Sequence, residues 1–391
     1  MRVRTPIMIV NSTLHIGGAE QVAASLAQGL NSATFDVSAC YLKESGLIAD
    51  QMVAAGVELQ PLPKFRAGRR DYLTSLKLRA LIRSRGIKII HTHDIHGLID
   101  GSVCRALMPG LRFVHTLHFG NYPHRRKRHR LVEQALWRIP DALVAVGHAQ
   151  AESIRTLYGI PAERLRVIWN GVDAPSDRGE ADKRACASLP SVPVIASVST
   201  LIHQKGLDYL LQAAALLRDS GDECMLFIAG DGHLRDALHE QARALRLEDS
   251  VRFLGWVPKA SEQILPACDI FVQSSRWEAM SVVVLEAMAA GKPMVVTEVG
   301  ENPHVVVNAS TGLTVPPCDP RALADALRTF LRNVDLRQRM GRAAQQRYQA
   351  QFTTRHMIDA YETLYRELAG DAVASLDSTK GSPLQFRFRC P

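Results

Sequence analysis

The sequence predicts an α/β protein of two doubly wound domains, each a parallel sheet covered by helices on both faces. Short apolar runs of strand length alternate with helical segments along most of the chain. At 391 residues the chain exceeds one ordinary core and suits two domains of roughly 170–180 residues. Between the halves, Ala174 to Pro190 replaces the apolar pattern with Pro175, Ser176, Gly179 and many charges, the composition of a boundary. The expected division is therefore 1–173 for the first domain, 174–190 for a linker, 191–351 for the second domain and 352–369 for a last helix. Residues 370–391, rich in Ser, Asp, Gly and Pro without an apolar period, are expected to be a disordered tail.

In the first half, Pro6 to Val10 is a buried-strand run. It leads through S-T-L-H-I-G-G-A-E into a helical segment, Ala19 to Leu30, the opening strand, glycine loop and helix of a doubly wound sheet. Further strands are predicted at 35–41, 57–62, 87–91, 113–117 and 142–146, with helices at 47–55, 72–85, 96–107, 130–138 and 149–158. Ligands of such a sheet gather at the carboxyl ends of its strands. Three of those ends are polar: Asn11 to His15, His91 to Asp94, and His115 to His118. Because a strand alternates faces, His115 and Leu117 should point one way, Thr116 and His118 the other. Gly17-Gly18 is not G-x-G-x-x-G, and by itself such a pair is mostly a turn.

The second half places strands at 194–198, 224–229, 251–257 and 269–273. The last feeds the stretch S-S-R-W-E-A-M-S-V-V-V-L-E-A-M-A-A-G-K-P-M-V-V-T, a loop, a helix and another buried strand. With the helix starting near Ser281, Glu278 stands in the loop ahead of it and Glu286 about one and a half turns in. The N–H groups of Met280 to Val283 would then form an anion site fitted to phosphate. Glu286, on an otherwise apolar helix, is suited to accept two hydrogen bonds from a ribose diol. From Pro320 the chain is helical at 321–331, 336–348 and 353–368, and Tyr361 and Tyr365 stand at helical spacing for a docking face.

The E-x7-E spacing, the G-K-P-M-V-V-T strand, G-E-N-P-H-V-V and T-G-L-T-V-P-P together resemble the large retaining glycosyltransferase family four, of GT-B fold. The resemblance runs from about Ile7 to about Leu368, and it rests on the order and spacing of motifs that are individually weak. It implies two Rossmann-like domains facing across a cleft. The first would bind the acceptor and the second the nucleotide-sugar donor, with the C-terminal helix crossing back to the first. G-G-A-E places Gly17 and Gly18 close to the donor pyrophosphate or the acceptor, and His118 matches the position that contacts the transferred sugar. The family reads G-R-L-x-x-x-K-G where this chain reads S-T-L-I-H-Q-K-G. Lys205 is kept on the diphosphate, while Thr200 replaces the arginine and offers one hydrogen bond without charge. Gly230 stands in the family's glycine turn, and Val257 ends the strand expected beside the nucleotide base. No role carries over to His304, where the family commonly has glutamate.

The resemblance thus implies catalytic Lys205, Glu278 and His118. It implies a donor site of Gly17, Gly18, Thr200, Lys205, Gly230, Val257, Glu278, Ala279, Met280, Ser281, Val282 and Glu286. No cofactor and no metal is expected beyond the donor as co-substrate, and the leaving phosphate would serve as base in a same-face substitution. The expected partners are a nucleotide-sugar donor, UDP-linked as is commonest among similar enzymes, and a glycan or lipid-linked acceptor of cell-envelope polysaccharide or lipopolysaccharide. A GT-B nucleotide-sugar epimerase, or a non-catalytic module binding nucleotide or anionic lipid, are the alternative readings.

Charge separates the halves. Residues 1–175 carry 23 Lys/Arg against 13 Asp/Glu, and the remainder 24 against 26. The densest run, His124 to Arg130, leads into Leu131, Val132, Ala135, Leu136 and Trp137, a pattern suited to an anionic membrane surface and equally to a solvated charge run. Arg125, Arg126, Lys127 and Arg128, with His15 and His93, are assigned to the acceptor or membrane side. Nucleic acid is excluded, since no aromatic-interleaved or zinc-finger pattern accompanies the charge. The seven scattered cysteines include no C-x-x-C and suit reduced thiols. With no apolar run of about 18–20 residues and no signal-peptide core, a cytoplasmic protein, peripheral on the inner face of the membrane, is expected.

Overall fold

The computed structural model describes residues 4–15, 17–62, 73–175 and 191–370. The first domain carries β1 (Thr5–Thr13), α1 (Gly18–Gly29), β2 (Phe35–Glu44), α2 (Leu47–Ala54), β3 (Glu58–Pro61), α3 (Thr74–Ser84) and β4 (Ile89–Thr92). It continues with α4 (Ile95–Leu107), β5 (Arg112–Leu117), α5 (Lys127–Leu136), β6 (Ala142–Ala145), α6 (His148–Tyr158) and β7 (Leu165–Val167). Its seven strands are parallel in the order β3-β2-β1-β4-β5-β6-β7. The second domain carries β8 (Val194–Val198), α7 (Leu207–Asp219), β9 (Met225–Ala229), α8 (Arg235–Ala244), β10 (Val251–Gly255), α9 (Ala260–Ala267) and β11 (Ile270–Gln273). Then come α10 (Val282–Ala289), β12 (Met294–Thr297), α11 (Asn302–Val305), β13 (Leu313–Val315), α12 (Pro320–Arg332) and α13 (Val334–Gln351). Its strands, also parallel, run β10-β9-β8-β11-β12-β13.

The cores follow from strand alternation. In β1, Ile7 and Ile9 pack with Phe35, Ile89, Val22 and Leu26 on one face, while Met8 and Val10 pack with Ile90, Phe113, Leu78 and Leu98 on the other. The second sheet divides likewise: Ile195, Ile228 and Val272 lie against α7 and α12, and Ala196, Phe227, Phe271 and Val296 against α10 and α13. In each sheet the strand order reverses beside the first strand, at β1/β4 and at β8/β11, which opens a crevice at the carboxyl ends.

Beyond α13 the chain turns back. Val172 bridges Thr353, the Val172 N–H donates to the Phe352 carbonyl (3.1 Å), and the Thr354 N–H donates to the Val172 carbonyl (2.9 Å). The last helix, α14 (Thr354–Ala369), starts on the Thr353 side chain, which accepts from the His356 N–H, and ends at Gly370 with φ 78°. It buries Met357, Ile358, Tyr361, Leu364 and Tyr365 in the core of the first domain. Both tyrosine hydroxyls find partners there, Tyr365 on His91 Nδ1 (2.7 Å) and Tyr361 on Thr116 Oγ1 (2.9 Å). Nearby, Glu362 accepts from the Asn31 N–H just past α1 (2.9 Å). The docking face expected of these tyrosines is the one observed.

Local differences have physical causes. Helix α5 begins at Lys127, not Arg130, so the basic run occupies its first turn. β7 and β13, three residues each, are too short to show a period-2 pattern. The expected linker and tail lie, apart from residues 174–175 and 370, outside the described residues.

Replacing the fully buried Tyr365 with phenylalanine leaves His91 Nδ1 without its partner and should cost about 1–3 kcal/mol. Tyr365→Ala should cost about 3–5 kcal/mol. Urea melts of the three proteins check both, and coincident midpoints would show that α14 is not an integral part of the fold.

Candidate active site

The carboxyl ends of the second sheet are drawn together by the backbone. The N–H groups of Ser199, Leu201 and Gly230 donate to the carbonyls of Ala229, Asp231 and Gly255. Gly230 has φ 141°, and a Cβ there would stand 1.9 Å from the Ser199 oxygen, so only glycine closes this junction. Thr200 is exposed beside it, and Val257, two residues past β10, is half-buried on the same rim next to the half-exposed Trp256.

From this rim a 3-10 turn, residues 203–205, carries Lys205 to the loop after β11. Lys205 Nζ lies 2.6 Å from Glu278 Oε1, which also accepts from Ser275 Oγ (2.7 Å), and Gln204 Nε2 donates to Glu278 Oε2 (3.3 Å). The carboxylate is buried, its side chain 7 % exposed against 19 % for the lysine. In the sequence Lys205 and Glu278 stand apart and nothing marks Ser275 or Gln204; the structure makes the four one cluster. A charge pair this far from water persists only with its remaining lone pairs satisfied, which the serine and glutamine supply.

The peptide after Glu278 is held from both sides. A Cβ on Gly120, in the first domain, would lie 2.1 Å from the Glu278 carbonyl carbon. One on Gly300, at φ 53°, would lie 2.3 Å from the Glu278 oxygen. The Met280 carbonyl accepts from Asn170 Nδ2 (3.3 Å), another contact across the cleft. Ser281 caps α10 without a side-chain hydrogen bond to it, its hydroxyl accepting instead from Gln273 (2.7 Å). The first N–H groups of α10, from Val282 on, thus have no side-chain cap.

Glu286 lies one turn further, opening into a cavity of about 170 Å³ between the domains, with Gln21 and Ser25 of α1, Gly171 to Pro175, and Ser261 around it. Burial pushes its carboxyl up to about 7 against a hydrogen bond from Ser261. Gly18 faces the same helix start, a Cβ on it reaching 3.5 Å from Val282, and Gly17 begins α1 with extended backbone. Neither glycine is demanded by its φ. Glu20 of the same G-G-A-E, to which no role was assigned, is half-buried with its carboxyl raised by burial and by nearby Asp94. A larger cavity of about 550 Å³ lies at the amino ends of β8 and β9, away from these groups.

Across the cleft, the first sheet presents histidines held neutral. His118 shares a 3.0 Å hydrogen bond with His93, and burial lowers it to about 4. His91 bonds Thr116 and Tyr365, and His115 bonds Thr92, on opposite faces as strand alternation requires. Among the described residues no group of three His, Cys, Asp or Glu is arranged to hold a metal ion.

Two surface assignments are corrected. His93 is 2 % exposed and backs His118, so it meets no acceptor or membrane. Arg125 is not on the basic surface either: it pairs with buried Glu133 (2.5 Å) and lies 4.1 Å over the Phe119 ring. Eight residues of separation joined a loop to a helix, which a charge count cannot see. Arg126, Lys127 and Arg128 remain exposed, and His15 is exposed on the rim beside Glu44 (3.2 Å).

A model of "Glycosyl transferases group 1" matches residues 180–347, and one of "Glycosyltransferase Family 4" matches residues 16–175. The chain is 32 % identical to a glycogen synthase of Mycobacterium tuberculosis over 80 % of its own length and 73 % of the relative's. It is 31 % identical to the lipopolysaccharide core biosynthesis glycosyltransferase LpsE of Rhizobium meliloti, over 65 % and 71 %. The fold superposes on Anabaena Alr3699/HepE, solved in complex with UDP and glucose, with TM-score 0.84 at 20 % identity, covering 93 % of this chain and all of that one.

Gly120→Ala should push its Cβ into the Glu278 peptide and destabilise the protein by about 1–3 kcal/mol. The measurement is the urea midpoint, and an unchanged value would mean that the two domains do not meet at this loop in solution.

Proposed function

The chain belongs to glycosyltransferase family four, of GT-B fold, and from that premise we propose a retaining, metal-independent transferase that moves a sugar from a UDP-sugar to a hydroxyl of a glycan or lipid-linked acceptor of the cell envelope. The observation that carries this reading is the Lys205–Glu278 pair set beside the side-chain-uncapped start of α10, with Glu286 one turn beyond it in the cleft. UDP is chosen because the Anabaena protein was solved with it.

The chemical difficulty is the charge left on the departing diphosphate. An ammonium has three N–H donors, so Lys205 can keep Glu278 and still offer donors to a phosphate oxygen. The N–H groups opening α10 add a fixed positive end without reorganisation. Glu278 holds the lysine through Oε1, and its Oε2, which accepts one bond from Gln204, keeps a second lone pair for a sugar hydroxyl. His118, neutral, can donate or accept one hydrogen bond from the opposite wall, and the closed cleft excludes water that would otherwise take the sugar. Among the described residues the carboxylates at the first domain's rim are otherwise engaged, Asp94 with Ser12 and the start of α4 and Glu20 raised towards its neutral form by burial, so substitution on the same face, with the leaving phosphate as base, is the consistent course. Thr200 supplies a hydroxyl where an arginine would add a second cation.

The acceptor side of the proposal rests on α5. Its first turn has no acidic residue and no side-chain cap, yet Arg126, Lys127 and Arg128 stand there exposed, with Leu131 65 % exposed on the next turn. Cations at a helix N-terminus oppose the dipole, a cost that an anionic partner would offset. An anionic leaflet supplies that partner and takes up the leucine. No described helix is long and apolar enough to cross a membrane.

Ribose hydroxyls donate more strongly to the ionised Glu286 than to its protonated form, so nucleotide binding lowers its carboxyl from about 7 and affinity falls as pH falls through that value. Titration calorimetry with UDP should show the dissociation constant rising severalfold from about pH 7.5 to about pH 6, and Glu286→Gln should bind more weakly and keep only the smaller slope that protonation of the UDP phosphate gives. A wild type that takes up no UDP at either pH would refute the donor assignment.

Replacing Arg126, Lys127 and Arg128 with glutamate should abolish co-sedimentation with anionic vesicles, at roughly 1 kcal/mol per basic residue. Wild-type binding should weaken with salt. Equal sedimentation of the two proteins would return this face to solvent.

A further inference from the structure

Glu301 is fully buried, and among the described residues no lysine or arginine pairs with it. Its compensation comes from the other domain. The Ala149 N–H, in the first turn of α6, donates to Oε2 (3.0 Å), and Trp169 Nε1–H, at the end of the first domain, donates to Oε1 (2.9 Å). His304 Nδ1 stands 3.8 Å away. Helix α6 has no cap of its own: its N-cap is Gly147, and a Cβ there would reach 2.5 Å from Glu301 Oε2. The backbone of Gly147 is extended, so the glycine is needed for the carboxylate's approach and not for its φ. A side chain of the second domain therefore caps a helix of the first, where the dipole favours negative charge.

The same residue also holds the substrate loop. The Glu301 N–H donates to the Ala279 carbonyl (2.9 Å), next to the peptide that Gly300 and Gly120 enclose. We infer that Glu301 is a positioning residue, latching the domains together through its carboxylate and fixing the 278–280 loop through its backbone, so that closure and the placement of Glu278 are one event. Opening the cleft would exchange both of the carboxylate's protein donors for water and leave the start of α6 without its cap, and the lost cap favours the closed arrangement. The link from latch to turnover rests on the transferase reading above, whereas the latch itself does not.

The test separates a latch from a mere helix cap. Glu301→Ala removes both. Adding Gly147→Ser supplies a cap within the first domain, since the hydroxyl can accept from the first-turn N–H groups once the carboxylate is gone. The double variant should recover the thermal midpoint lost by Glu301→Ala. It should keep kcat depressed by about tenfold, with the UDP dissociation constant within about threefold of wild type, the split expected when positioning and not binding is lost. Recovery of kcat together with the midpoint would overturn the proposal. Trp169→Phe, which keeps a ring in place and removes one donor, guards against a misfolded variant and should lower kcat by about threefold; a wild-type kcat in that variant also counts against the latch. Small-angle scattering of the ligand-free proteins gives a reading independent of chemistry. The double variant should have a larger radius of gyration than wild type, and equal radii would overturn the latch. Failure of the wild type to bind UDP or transfer sugar would refute the functional reading alone, with scattering still deciding the latch.

Discussion

The contact on which the site depends is the enclosure of the Glu278–Ala279 peptide between Gly120 and Gly300. Two glycines from two domains let three backbones pack where any side chain would intrude. Glu278 then enters a pocket dry enough that its charge requires Lys205, Ser275 and Gln204. The order of causes runs from the missing Cβ atoms to the close approach, from the approach to the burial, and from the burial to a preorganised charge pair. A preorganised pair costs no rearrangement when charge develops on a leaving group, which is how such a site contributes to rate.

The two walls of the cleft differ electrostatically. The second domain supplies fixed charge, in Lys205 and Glu278, and a titratable carboxyl in Glu286. The first supplies neutral imidazoles, because burial holds His91, His93, His115 and His118 below the usual histidine range. That neutrality is tied to the return of α14, whose Tyr361 and Tyr365 complete the hydrogen bonds of Thr116 and His91. The helix that seals the first core thus also fixes the rings behind His118.

The basic run shows how one stretch can be divided by packing. Arg125 folds inward onto Glu133 and Phe119 and ties the loop after β5 to α5, while Arg126, Lys127 and Arg128 stay in solvent. Truncating Arg125 would therefore disturb the fold beside Gly120, whereas changes at the other three alter only the surface field.

The return of the last helix to the first domain follows from the family resemblance; the sequence by itself determined the two-domain α/β architecture, most strand and helix positions, the helical spacing of Tyr361 and Tyr365, and the placement of Gly230, Ser281 and Glu286 at strand ends and helix start. Those features are local: period, breakers and caps act within a few residues, so a linear reading reaches them. Tertiary structure alone decided which charges meet. Lys205 finds Glu278 across 73 positions, Glu301 finds Ala149 across 152, and Arg125 and His93 turn inward although their neighbours do not. A charged side chain carries no signal of its partner in its own neighbourhood, because the energy of pairing depends on distance and burial, and both are set only when distant segments pack.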